Sequence, residues 1–282
     1  MRLPPGYDEL VVGKARAFVW HEAHEWASRT LEEHGSLYSW AAGDADARRL
    51  SGRGTVWSVP AAGAGPDGRT RWVVRRYLRG GAMAKILRDT YFQAGPTRPL
   101  RELRASAAAR TLGVPVPAVV AGAVYPAGPL HYRADLVTEQ IPDTRDLAEV
   151  LFGHAELEKV ARWAPDRAAA LRASGRLAVR AGAAGVRHPD LNAKNVLLRP
   201  AASHGADPEA WMVDLDRCRI RKAPRPRADT DSMLARLERS LRKFERAEGR
   251  HLGDGEWTAL RLGAEGPEAT HGPGAGAPGD PR

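Results

Sequence analysis

The sequence predicts an α+β chain in two lobes. The N-terminal lobe is small and β-rich with one main helix, and the C-terminal lobe is mostly helical. Three observations carry this expectation. Segments rich in Val, Trp and Tyr, separated by Gly and Pro turns, crowd into residues 1–138. Helical periodicity dominates residues 139–262. Within that second region a polar loop, His188-Pro189-Asp190-Leu191-Asn192-Ala193-Lys194-Asn195, is framed by short apolar strands. A length of 282 residues suffices for two lobes with a substantial core. Residues 263–282 are Gly/Pro/Ala-rich and are expected to be a disordered tail.

The elements follow in order. Ala15 to Glu33 reads as a polar helix with Phe18, Trp26 and Leu31 partly buried. His21 and His24 lie three apart, whereas a zinc-protease helix spaces its histidines by four, so they read as solvated. Gly52-Arg53-Gly54 is a glycine-rich turn entering a strand over Thr55–Val59, and Gly63 to Gly68 is a loop. Arg71 to Tyr77 reads as a strand. Thr97 to Leu112 is helical, with Leu100, Leu103 and Ala107 on one stripe and Glu102 among arginines 98, 101 and 104. Gly113-Val114-Pro115-Val116-Pro117 ends it. Val119–Val124 and Tyr132–Val137 read as a hairpin, and Thr138 to Pro142 connects the lobes. Leu147, Val150 and Leu151 open a helix, and Ala168 to Gly182 form another. Val196-Leu197-Leu198 and Ala210-Trp211-Met212-Val213 are short strands. A basic loop, Arg217 to Arg227, precedes an amphipathic helix, Asp229 to Glu248, with Asp229 as its N-cap. The charged face of that helix, with Arg236, Arg239, Arg242 and Lys243, is expected to be solvated.

Bulk properties narrow the partners. The chain is 43% hydrophobic and 27% charged, an ordinary soluble composition. A net charge of +9 and a pI near 10.1 favour anionic partners, although an Ala/Gly/Arg compositional bias accounts for part of it. Aromatics are only 6% and no docking motif stands out, so no nucleic-acid partner is expected. Cys218 is the single cysteine; it allows no internal disulfide and fits a reducing compartment. The N-terminus lacks an apolar signal core, and no stretch approaches the roughly 18 apolar residues of a spanning helix. A cytosolic protein, or one bound to the cytosolic side of a membrane, is expected.

The polar loop carries the chemistry. His188 to Asn195 fits H-x-D-x-x-x-x-N, the catalytic loop of protein-kinase-like phosphotransferases. Asp214, ending an apolar strand, fits the metal-holding aspartate of that fold. Phosphoryl transfer needs a carboxylate that orients the attacking hydroxyl and accepts its proton, and Asp190 matches. It also needs oxygen ligands for a hard cation, and Asn195 and Asp214 match. Asp and Asn also favour turns, which is the alternative for either alone. Gly52 and Gly54 would let backbone approach phosphates, though an ordinary hairpin turn uses glycine as well. Arg75 is the first choice for the phosphate-binding cation and Lys85 the second. Glu102 is either that cation's partner or a surface ion pair. Glu139 begins the connection whose backbone would face an adenine. The cofactors expected from these residues are therefore a nucleoside triphosphate and Mg2+.

These residues resemble the bacterial lipopolysaccharide-core kinases, specifically the 3-deoxy-D-manno-octulosonic acid (Kdo) kinases. That family typically shows H-x-D-L-N-A-H-N and I-D-F-D-R-G-R, against His188–Asn195 and Val213-Asp214-Leu215-Asp216-Arg217-Cys218-Arg219 here. The likeness extends through Val74-Arg75-Arg76-Tyr77, Leu112 to Pro117 and Tyr132-Arg133-Ala134-Asp135-Leu136, covering about residues 50 to 245. It implies a two-lobed kinase-like fold and ATP-dependent phosphorylation of the Kdo 4-hydroxyl on a Kdo–lipid A precursor. It also implies a peripheral place on the anionic cytoplasmic face of the inner membrane. By matching position, Asp190 is the base, Asn195 and Asp214 the magnesium ligands, Arg75 the phosphate cation and Glu102 its partner. Lys194, Leu215 and Cys218 depart from the usual histidine, phenylalanine and glycine; Lys194 is a candidate γ-phosphate contact. Other readings are a phosphotransferase for another sugar or small hydroxyl substrate, a basic pseudokinase, or a binding module. Retention of the base and both ligands weighs against the last two.

Overall fold

A computed structural model describes residues 2–50, 55–78, 89–153, 166–201, 203 and 205–265. Gly52, Gly54 and Lys85 lie outside the described residues, as does the chain beyond Glu265.

The N-terminal part is built on β1 (Tyr7–Val12), β2 (Ala15–Trp20), α1 (His24–His34), α2 (Leu37–Gly43), β3 (Arg48–Leu50), β4 (Val56–Pro60), β5 (Arg71–Arg76), β6 (Tyr91–Phe92), α3 (Arg98–Thr111), β7 (Val119–Pro126) and β8 (His131–Glu139). The strands form one eight-stranded antiparallel sheet in the order β1-β2-β7-β8-β5-β4-β3, with β6 also paired to β8. One face carries α1 and α2 over Val19, Val59, Trp72, Val74 and Val137. The other carries α3, through Leu100 and Leu103 against Phe18, Val119 and Leu136.

Two buried acids fasten helices and loops to this sheet. Asp135, fully buried, accepts from the Arg76 Nε at 3.0 Å and from the Tyr38 amide at the start of α2 at 3.0 Å. Burial pushes its carboxyl above the usual range, and the Arg76 bond opposes the shift. Glu139 accepts from the amides of Asp67 and Arg69, pinning the loop between β4 and β5.

The C-terminal part comprises β9 (Arg145–Asp146), α4 (Leu147–Phe152), α5 (Arg167–Ala183), β10 (Val186–Arg187), β11 (Val196–Arg199), β12 (Glu209–Met212), β13 (Arg219–Ile220), α6 (Pro226–Glu248) and α7 (Asp254–Glu265). Its core is the inward stripe of each helix, including Leu147, Leu151, Leu171, Leu177, Met233, Leu237, Leu241 and Leu260, closed over the short strands by Val196, Leu198 and Met212. Among the described residues no helix is long and apolar enough to cross a membrane.

Four expectations need correction. Ala15–Trp20 is strand, not helix: it pairs with β1 on one side and β7 on the other, and the two ladders override a weak helical pattern. Asp229 does not cap its helix. The helix starts a turn earlier, with Arg225 at the cap and Pro226 in its first turn, and Asp229 is buried against Arg221 at 2.9 Å. Ala107 is only partly covered; the buried face of α3 runs through Leu100, Glu102, Leu103, Ser106 and Ala109. The tail cannot begin at Gly263, because α7 continues to Glu265. A Cβ at Gly263 would lie 2.2 Å from the Arg172 carbonyl oxygen, so this glycine lets α7 press onto α5.

Candidate active site

Asp190, Asn195, Asp214, Arg75 and Glu102 come together in one cleft of about 1020 Å³ between the sheet and the helical part. It is floored by Leu197 and Val213 and walled by Val73, Val119, Thr138 and Ile141.

The loop from β10 to β11 holds its shape through internal bonds. The Asn192 and Asn195 side-chain amides both donate to the Asp190 carbonyl oxygen at 3.0 Å. That use of its nitrogen leaves the Asn195 Oδ1 as a hard oxygen donor. Asn192 Oδ1 caps the short 3-10 turn by accepting from the Lys194 amide. His188 is buried; its Nδ1 accepts from the Asp190 amide at 3.2 Å, and its Nε2 lies 3.0 Å from the Val213 carbonyl oxygen. A carbonyl only accepts, so Nε2 carries the proton and the ring is neutral. Burial lowers the His188 pKa, in keeping with that state. This single ring ties the loop that bears Asp190 to the strand end that presents Asp214.

Asp214 has φ +65° and ψ +58°, left-handed backbone. Among the described residues only Asp143 shares a positive φ without being glycine. Such strain marks positions where a side chain must be aimed. The carboxylate is 43% exposed and faces the cleft, next to Arg75 Nη2 at 3.2 Å. The same nitrogen is 2.5 Å from Glu102 Oε2, which also accepts from Tyr77 Oη at 2.5 Å. Burial by itself would lower the Arg75 guanidinium pKa, but Glu102, Tyr77 and Asp214 hold it well above its ordinary value. Burial pushes the Glu102 carboxyl up, against the pull of Arg75. Glu102 therefore fits the partner role rather than the surface pair, since its side chain is only 5% exposed.

The oxygen set suits magnesium. Asp214 and the Asn195 Oδ1 are hard donors facing one cleft, and phosphate oxygens and water complete such a shell in nucleotide sites. Beyond them, Asp216 is buried 3.2 Å from Arg98 of α3, with the Arg98 guanidinium stacked 4.5 Å from the Tyr91 ring centroid. Burial raises its pKa, reinforced by Asp214. Asp216 thus locks the turn after Asp214 onto the helix that bears Glu102. Cys218, in the same layer, is half-covered, and burial with nearby carboxylates pushes its thiol far up, which makes it a poor nucleophile.

Two other candidates, Glu139 and Lys194, line the same cleft. Glu139 lines the cleft, but its carboxylate is turned into the β4–β5 loop and its amide donates to Ala118, so only its carbonyl can serve a nucleotide base. Lys194 is exposed at the rim, with Nζ 6.0 Å from the Phe244 ring centroid. One contact escaped the sequence. Arg236, expected to be solvated, grips Asp190 Oδ1 with Nε at 3.0 Å and Nη2 at 2.6 Å. Its spacing offered a signal: on a helix of about 3.6 residues per turn, position 236 lies near the buried Met233, Leu237 and Ser240 rather than opposite them.

The model of the lipopolysaccharide kinase (Kdo/WaaP) family matches residues 39–260, which include every one of these side chains. The chain belongs to that family. It is a kinase of lipopolysaccharide biosynthesis, a phosphotransferase with an alcohol group as acceptor. A 3-deoxy-D-manno-octulosonic acid kinase of Xanthomonas oryzae pv. oryzae (strain PXO99A) is 39% identical over 196 residues, 68% of each chain. The enzyme of that name from Xanthomonas axonopodis pv. citri (strain 306) is 36% identical over 217 residues, 76% of each. Among solved structures, WaaP in complex with acyl carrier protein aligns over 84% of this kinase and 86% of that chain, at 20% identity and a TM-score of 0.47. The α+β, two-lobed architecture expected from the sequence is the one this kinase has.

Proposed function

We propose that this kinase transfers the γ-phosphoryl group of ATP to the 4-hydroxyl of Kdo on a Kdo–lipid A precursor, at the cytoplasmic face of the inner membrane. The observation that carries the reading is the convergence of a base, two hard oxygen ligands and a phosphate cation in one cleft of a chain 36–39% identical to Kdo kinases. Arg236 occupies only Oδ1 of Asp190, and Oδ2 has no partner among the described residues. Oδ2 accepts the hydroxyl proton as the acceptor oxygen bonds to the γ-phosphorus and the bond to the bridging oxygen of ADP breaks. Arg75, held by Glu102, meets phosphate oxygens. Asn195 and Asp214 hold magnesium, which neutralises charge on the triphosphate. Thr138 and Ile141 bound the end of the cleft where the base would sit.

The anionic lipid acceptor gives the basic charge a use. Arg217, Arg219, Lys222, Arg225 and Arg227 are exposed on the segment after Asp214. Each such cation near an anionic leaflet contributes about 1 kcal/mol of attraction. Arg79–Arg88, the other basic segment, lies outside the described residues.

The test is incubation with labelled ATP, magnesium and Kdo-bearing lipid A precursor, scored by one added phosphate in the lipid mass and by its position in the fragment spectrum. Transfer to heptose or an aminoglycoside in preference would replace this acceptor with another small hydroxyl substrate.

A further inference from the structure

We propose that Arg236 is a positioning residue for the catalytic carboxylate, and that α6 is the element that aims it. The proposal rests on Asp190 being the base, as just argued. Three contacts clasp the catalytic loop to one stripe of α6. The His188 amide donates to Met233 Sδ at 3.4 Å, Arg236 holds Asp190, and the Ala193 amide donates to Ser240 Oγ at 3.2 Å. Met233, Leu237 and Ser240 are buried, so the stretch of helix that presents Arg236 is fixed in the core. Arg236 and Asp190 are each about one-third exposed, at 30% and 34%.

The geometry of the pair decides its meaning. Two of the three guanidinium nitrogens, Nε and Nη2, converge on one carboxylate oxygen instead of bridging two. A fork that bridges both oxygens, as Arg172 makes to Asp207, would leave neither free. The single-oxygen grip fixes the plane of the carboxylate and leaves Oδ2 to face the acceptor. Lysine could supply the charge but not two N–H groups in a fixed plane.

The experiment compares the full-length kinase with Arg236→Ala and Arg236→Lys in the phosphate-transfer assay. Arg239→Gln serves as control, its side chain being exposed one turn along the same helix. Misaiming the base should lower kcat about 100-fold in Arg236→Ala, with KM for nucleotide and acceptor changed less than about twofold. Added guanidinium ion should recover part of kcat in Arg236→Ala, since it can refill the vacated space; a lost structural contact would not respond. Arg236→Lys should stay at least about tenfold below wild type. Wild-type kcat in either variant overturns the proposal, as does a raised acceptor KM with kcat retained, which would make Arg236 an acceptor-binding group. If Arg236→Ala fails to fold by circular dichroism, Arg236→Lys alone decides by the same kcat criterion. Absence of transfer by the wild-type kinase to any hydroxyl acceptor would instead sink the underlying reading of Asp190.

Discussion

At the scale of single residues, the site is a chain of charge compensation. Asp214 and Glu102 share one arginine, Asp190 has another, and Asp216 has a third. Each arginine then offsets part of the cost of holding a carboxylate in a partly desolvated cleft. Asp190→Ala should lower kcat by a factor of about 10² to 10⁴ while the fold stays intact, measured by transfer assay and circular dichroism. Asp214→Asn should raise the magnesium and nucleotide concentrations needed for half-maximal rate; an unchanged titration would remove its ligand role. His188 contributes differently. Its folded pKa lies below the ordinary value near 6.5, so the folded state binds fewer protons than the unfolded one as pH falls. Its stabilisation is complete above pH ~6.5 and declines as pH drops towards the lowered value, by at most about 1.4 kcal/mol per pH unit. At pH ~6.5, where a free imidazole is half charged, the ring should be mainly the neutral Nε2–H tautomer by nitrogen chemical shift. A charged ring at that pH would contradict its bond pattern.

At the scale of elements, helices do the aiming. α3 brings Glu102 to Arg75, α6 brings Arg236 to Asp190, and the short strands present Asp214. α5 and α6 lie close because Gly182 has no side chain: a Cβ there would sit 2.2 Å from Thr230 Oγ1 and 2.8 Å from the Pro226 carbonyl. Gly182→Ala should force the N-terminus of α6 outward and cost about 1–3 kcal/mol of stability, read by chemical denaturation. A neutral effect would show that the helices can separate without loss. The sequence carried most of these elements. Long apolar periodicities marked α3, α5 and α6, a Val- and Trp-rich run marked β5, and the hairpin pattern of Val119–Val124 and Tyr132–Val137 marked β7 and β8. It failed where partners decide. β2 is a strand because ladders on both sides claim it, and no local pattern in Ala15–Trp20 reports those ladders.

At the scale of the whole molecule, the two lobes meet at the cleft, and α3 with the segment after it ties them together, since Ala105, Ala109, Val114 and Val116 pack into the C-terminal core. Arg98 of α3 reaches Asp216, and Arg75 of β5 reaches Asp214. Nucleotide binding between such lobes should stabilise the whole fold by mass action. The other whole-molecule question is where the packed chain stops. Removing residues 266–282 leaves every described contact in place and should change neither melting temperature nor turnover. Removing residues 263–265 as well cuts into α7 where Gly263 packs on Arg172, and should lower Tm by several degrees, at about 2–4 °C per kcal/mol. Equal melting temperatures for the two truncations would show that the last turn of α7 contributes nothing.

By itself the sequence determined the chemistry: which side chains carry acid, amide and cation, and in what order along the chain. Those are fixed by residue type and spacing, and H-x-D-x-x-x-x-N followed by a strand-end aspartate needs no coordinates to be seen. Only the tertiary structure decided which charges pair. Glu102 sits among three arginines in sequence, yet it bonds Arg75, 27 positions away, and Arg236 crosses 46 positions to Asp190. Charge attraction depends on distance and on exclusion of water, and both are set by packing that no stretch of neighbouring residues encodes.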